Sequence, residues 1–155
     1  MKRTTKRLAV TSAAALLVGS GALVSLASSA DAATGSWKPY SSSPIAGGWH
    51  CARSISPNPG VYGQACLIRA SDGATVQAVI IANNRNTTKV AVKAEAWLMV
   101  PGTTPYETIY IANCRPSQMA ARAYAVCFGP KVKNNNYLLA GGFLNDHQVT
   151  TTGRA

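Results

Sequence analysis

The chain has few groups able to do covalent chemistry, and their spacing does not assemble them. Its two histidines are His50, between Trp49 and Cys51, and His147, directly after Asp146. Side chains of adjacent residues in a strand point to opposite faces, so Asp146 is badly placed to orient His147 as a base. Neither a Gly-x-Ser-x-Gly elbow nor a His-Glu-x-x-His pair occurs. The carboxylates Glu95 and Glu107 could in principle cleave a glycoside. If Thr103 lies near the tip of a hairpin loop, however, the two sit roughly 13 to 17 Å apart along the strands. Glycosidase pairs work at roughly 5 to 9.5 Å. Each is better read as an outward-facing strand charge. No catalytic residue, cofactor or metal is therefore expected, and the chain is read as a non-enzyme.

The cysteines carry a clearer message. Cys51, Cys66, Cys114 and Cys127 make an even set in a small chain, the pattern of a disulfide framework. Zinc is the rival use, but there is no Cys-x-x-Cys and only the two histidines to help. Four cysteines allow three pairings. The local one, Cys51 with Cys66 and Cys114 with Cys127, closes two loops of modest length, each contributing roughly 3 kcal/mol by chain entropy.

Three further features could bind rather than react. Trp97 falls opposite a valine-rich stripe, where an outward tryptophan can stack on a sugar ring or be covered by a loop. The segment Ser54 to Gly60 contains Ser56-Pro57-Asn58-Pro59-Gly60 and resembles, in outline, the constrained loop of a secreted protease inhibitor. Asn86-Thr87-Thr88 matches the glycosylation sequon, a short and weak signal.

The ends fix the compartment. Lys2, Arg3, Lys6 and Arg7 precede an apolar run through Leu16 and Leu23, which closes on Ala30-Asp31-Ala32. A basic start, an apolar middle and an A-x-A site describe a secretory signal peptide over residues 1–32. The protein is thus expected to be secreted and extracellular, with no membrane association after cleavage. The whole chain has a formal net charge of +10. Its basic residues are scattered, which fits a solvated surface better than a nucleic-acid site, and no specific nucleic acid is expected.

What positions these residues is a series of short strands. Val90, Val92, Ala94, Ala96, Leu98 and Val100 alternate with Lys93, Glu95 and Trp97, the period of a half-buried strand. Thr75 to Ala82 precedes it across the turn Asn83 to Thr88. Runs at 49–55, 61–70, 106–113, 120–128 and 137–144 complete about seven strands separated by Gly, Pro and Asn. No helical period appears after residue 32. The expected fold is all-β: a single immunoglobulin-like antiparallel β-sandwich, in the architectural sense, over residues 49–145. Residues 33–48, rich in Ser, Gly and Pro, read as an extended N-terminal arm carrying Trp37, Tyr40 and Ile45, and residues 146–155 as a polar C-terminal tail.

Trp49-His50-Cys51, the run Gly60 to Cys66, Cys114 and Cys127-Phe128-Gly129-Pro130 give the region after the signal peptide a likeness to small exported actinobacterial proteins with two disulfides. Among these it resembles the adaptor subunit of umbrella toxin particles. That resemblance implies a non-catalytic connector. Its partners would be a secreted lectin-like or protease-like subunit and a larger toxin polypeptide, with the arm inserting into the former. The expected function is a secreted protein-binding module contacting its partner through Trp37, Tyr40 and Ile45. The alternative is an inhibitor of an extracellular hydrolase acting through Ser54 to Gly60.

Overall fold

The computed structural model describes residues 33–39, 47–102 and 107–150, and every regular element among them is a strand. In chain order these are β1 (Ala33–Lys38), β2 (Gly47–Cys51), β3 (Ile55–Asn58), β4 (Val61–Ala70), β5 (Thr75–Asn84) and β6 (Val90–Val100). They are followed by β7 (Glu107–Met119), β8 (Tyr124–Phe128), β9 (Val132–Lys133), β10 (Leu139–Leu144) and β11 (His147–Thr150). The strands form two sheets that share β1. The first runs β11-β10-β6-β7-β1, and the second β1-β8-β5-β4-β2, with β3 added to β4 and β9 to β5. The protein is all-β with two disulfides, as the sequence indicated.

The alternation in β6 sets one wall of the core. Val92, Ala94, Ala96 and Leu98 are buried, whereas Ala91 and Lys93 are exposed. Facing them from the second sheet are Val61, Ala65 and Leu67 of β4 and Val76, Ala78, Ile80 and Ala82 of β5. Burying one large aliphatic such as Leu67, Ile80, Leu98 or Leu144 contributes about 1.5 to 3 kcal/mol. Gly63 of β4 leaves room for Leu144 of β10, whose Cδ2 lies 2.6 Å from where a Cβ would stand. In contrast to β6, β5 is buried along nearly its whole length. Its second face carries Val79 and Ile81, which pack in a separate cluster with Cys66, Ile68, Val126 and Phe128. A strand covered on both faces has no reason to alternate, which explains the unbroken apolar run Ala78 to Ala82.

Among the described residues eleven strands replace the expected seven, and the four extra ones lie in the arm, the Ser54 to Gly60 loop, the gap between the runs 120–128 and 137–144, and the tail. The arm is in part a strand, β1. Ala33, Thr34 and Gly35 pair in parallel with Ala112 to Cys114 of β7, and Ser36, Trp37 and Lys38 pair antiparallel with Val126 to Phe128 of β8. Each half of the strand serves a different sheet, so no single period runs through it. Residues 40–46 lie outside the described residues. The polar tail is the second correction: Asn145 and Asp146 both have positive φ, 49° and 65°, which makes a two-residue hairpin turn. It returns the chain as β11, and Val149 enters the core. β3 was hidden by Pro57 and Pro59; it is an edge strand, where prolines are tolerated. Between the expected runs 106–113 and 120–128, Arg115-Pro116-Ser117 forms a bulge rather than a break, because Val92 pairs with Ser117 while Ala94 pairs with Cys114 and β7 carries on to Met119.

Both disulfides follow the local pairing. Cys51–Cys66 joins directly opposed residues of β2 and β4. Cys114–Cys127 joins β7 to β8, one strand from each sheet, with Cα atoms 5.8 Å apart. The pair sits where β1 crosses between the sheets: Gly35 is opposite Cys114 and Trp37 opposite Cys127. A Cβ on residue 35 would stand 2.7 Å from the Cys114 sulfur. Only glycine lets the strand pass that close.

Candidate binding faces

The outer face of the second sheet is built from the side chains of β4, β5 and β8 that point away from the core. Register places them in rows. Tyr62, Asn83 and Tyr124 form the first row, Gln64, Ile81 and Val126 the second, and Cys66, Val79 and Phe128 the third. The third row is sealed: Cys66 and Val79 have no exposed area, and Trp49 stands edge-on to Phe128 at 6.5 Å between ring centres. The first row is open, with Tyr124 57% exposed, the highest value among the large apolar and aromatic side chains described. The Arg85 guanidinium lies over the Tyr62 ring at 4.4 Å, a contact worth about 0.5 to 1 kcal/mol at an exposed site. Arg85 is itself held by its N–H, which donates to Gly60 O at 2.8 Å.

Two adjoining cavities, of about 300 and 200 Å³, open on this face and share Gln64, Ile81 and Tyr124. Their walls are kept in place from below and from the side. Gln64 Nε2 donates to Ala52 O at 2.6 Å, and Ser54 Oγ donates to Gly63 O at 3.2 Å. Among the described residues, the only charge lining either cavity is Arg85. Arg53 and Arg122, both exposed, lie on the segments that lead into this face. An aromatic and arginine rim over an apolar floor is the composition of a protein-binding hot spot.

The outer face of the first sheet is different in chemistry. Phe143, Glu95 and Asn113 form one row across β10, β6 and β7. Trp97 Nε1 donates to Glu95 Oε1 at 2.6 Å, and the Trp97 and Phe143 rings meet at 87° with centres 4.9 Å apart. A cavity of about 360 Å³ is lined by Glu95, Asn113, Arg115, Phe143 and the Lys93–Asp146 ion pair. That pair is 2.8 Å apart and exposed, which makes it worth no more than about 1 kcal/mol. Next to it, a groove of about 560 Å³ runs past Asn58 and Asn145. The Asn145 amide in this groove is already engaged: its Oδ1 accepts from Lys93 N, and its Nδ2 donates to Asn58 Oδ1.

Of the residues expected to bind a partner, Trp37 is placed within the domain. Its Nε1 donates to Arg115 O at 2.9 Å and its half-buried ring packs against the core. Tyr40 and Ile45 lie outside the described residues. Glu95 pairs with Asn113 and Glu107 with Val100, so five positions of β6 separate the two carboxylates, as the sequence required. Asp146 is in the hairpin turn on Lys93, and His147 is exposed at the start of β11. Ser54 to Gly60 is folded back on β4. Ile55 and Asn58 pair with Gly63 and Val61, and Pro57 is buried. The sequon residue Asn86 uses its amide nitrogen to donate to Pro59 O at 3.1 Å.

The residues that sequence reasoning missed are Tyr62, Arg85 and Tyr124 on one face and Asn113, Arg115 and Phe143 on the other. Only strand register brings each set together; within the sequence no spacing links Tyr62 to Tyr124. Comparison of the chain with protein-family models, curated proteins and solved structures finds no match.

Proposed function

We propose that this is a secreted, non-catalytic binding module that docks another extracellular protein on the outer face of the second sheet. The observation that carries this reading is the open Tyr62–Arg85–Tyr124 rim over the Ile81 floor. The partner surface complementary to it offers an apolar side chain for the Ile81 and Tyr124 cavity, ringed by carboxylates that meet Arg85 and the neighbouring Arg53 and Arg122. Two intramolecular disulfides are typical of extracellular proteins and support the compartment. An adaptor joining subunits of a secreted toxin particle, the role implied by the sequence resemblance, is one form of such a module. In this reading the contact shifts from the arm to the sheet face, because Trp37 is engaged inside the domain.

The inhibitor alternative is less well served. An inhibitory loop stands clear of its domain, whereas here Ile55 and Asn58 pair with Gly63 and Val61 of β4 and Pro57 is buried. The test is capture of the tagged protein from its own culture supernatant, with mass spectrometry of what accompanies it. A stoichiometric partner should be retained by the native chain and lost by Arg85→Glu and Tyr124→Ala variants that keep the native near-UV circular dichroism. A partner held equally well by both variants would refute the docking face.

A further inference from the structure

A second site lies on the opposite side of the sandwich, and its chemistry is that of a small polar ligand. In the cavity on the first sheet, Glu95 uses Oε1 to accept from the Trp97 indole, and its Oε2 has no partner among the described residues. The side chains of Asn113 and Arg115, both exposed, make no hydrogen bond among those residues either. An uncommitted acceptor therefore faces the same space as uncommitted amide and guanidinium donors, beside the ring of Phe143. Among the described residues, formal charges balance within the lining: Glu95 and Asp146 against Lys93 and Arg115. Balanced charges give the site as a whole no strong bias toward an anion or a cation. Its ligand must instead offer several groups that both donate and accept, together with an apolar face for an aromatic ring.

We propose that this cavity binds a neutral saccharide. The ring hydroxyls supply donors to Glu95 Oε2 and acceptors to the Asn113 amide and the Arg115 guanidinium, and the C–H face of the ring packs on Phe143. The row Phe143, Glu95, Asn113 spans three adjacent strands spaced about 4.8 Å apart, a pitch on the scale of a single sugar ring. Trp97 is the positioning residue: its indole fixes the Glu95 carboxylate, and its perpendicular contact fixes the Phe143 ring.

Nuclear magnetic resonance titration of the native, ¹⁵N-labelled protein with chitotriose, cellotriose and maltotriose tests this directly. The chain has three tryptophans, and a Trp97→Phe variant assigns the Trp97 indole N–H peak. At least one of the three saccharides should shift that peak saturably, together with backbone amides of Glu95, Asn113, Arg115 and Phe143. Asn113→Ala and Arg115→Ala should each weaken the binding by about tenfold, because each removes an exposed polar contact from the ligand without touching the core. The proposal is overturned if none of the three saccharides moves the Trp97 indole peak. It is equally overturned if the shifts map to Tyr62 and Tyr124, or persist undiminished in both alanine variants.

Discussion

Asn84 is fully buried, and its single side chain holds three parts of the chain together. Nδ2 donates to Thr88 O at 2.8 Å and Ala120 O at 2.9 Å, while Oδ1 accepts from Asn86 N at 3.0 Å. The turn that carries Arg85 is thereby pinned to the segment before Tyr124. Replacement by alanine leaves several part-buried backbone groups without this partner, so Asn84→Ala should lower unfolding stability by about 2 to 4 kcal/mol in urea titration. Asn84→Asp, which aims an acceptor at carbonyl oxygens, should cost more than the alanine change. Asp72 acts at the other end of the sheet. Its carboxylate accepts from the backbone N–H of Thr75, from Thr75 Oγ1 and from Ala74 N, and these bonds lower its pKa below the ordinary 3.8. A carboxylate depressed in the folded state stabilises the fold above its unfolded pKa, and that contribution fades as pH falls through the folded value. Melting temperature measured from neutral to strongly acid pH should thus drop less in Asp72→Asn than in the native chain once pH passes below 3.8. The turn from Asn83 to Thr88 was legible in the sequence, but not which of its residues is buried. Nothing in Asn83-Asn84-Arg85-Asn86 marks the second asparagine as the buried one, since that depends on where Met119 and Ala120 arrive.

At the scale of elements, β1 is what closes the sandwich. It completes the first sheet with one half and the second with the other, at the point where Cys114–Cys127 ties the two sheets. Cys114→Ala with Cys127→Ala should cost roughly 3 kcal/mol. Amide exchange at Gly35 to Lys38 should accelerate more than exchange in β4 or β5, where the second disulfide and the core are intact. Deleting Ala33 to Lys38 should destabilise the domain strongly rather than leave it folded, because β7 and β8 lose a strand and Trp37 leaves the core. Strands whose pattern reflects one buried face were legible: the alternation from Val90 to Val100 placed β6 within a residue. Strands whose pattern comes from pairing were not. β1 changes sheets midway, β3 contains a proline, and β11 depends on a turn made by Asn145 and Asp146 without a glycine. The cysteines were legible as a framework from their number, and their pairing from the structure alone.

For the whole molecule, the two sheets turn two unlike faces outward: an arginine and tyrosine rim on one, and a charge-balanced polar cavity on the other. The closely packed core between them argues for independent sites. Asn113→Ala and Arg115→Ala should leave capture of the protein partner unchanged in the supernatant experiment, whereas Arg85→Glu abolishes it. Neither face was readable from composition, because each is assembled from strands far apart in the chain. The same long-range construction governs when the fold can be finished. β1 lies at the beginning of the described chain, yet Trp37 finds its acceptor 78 residues later at Arg115. Contacts of that separation slow folding, since a long loop must close before any of them forms. A chain emerging N-terminus first therefore holds β1 unpaired until Ala112 to Cys114 appear and half-paired until Phe128 follows, and the two sheets cannot be joined through it before then. Completion of the sandwich is thus tied to strands made long after the one that closes it.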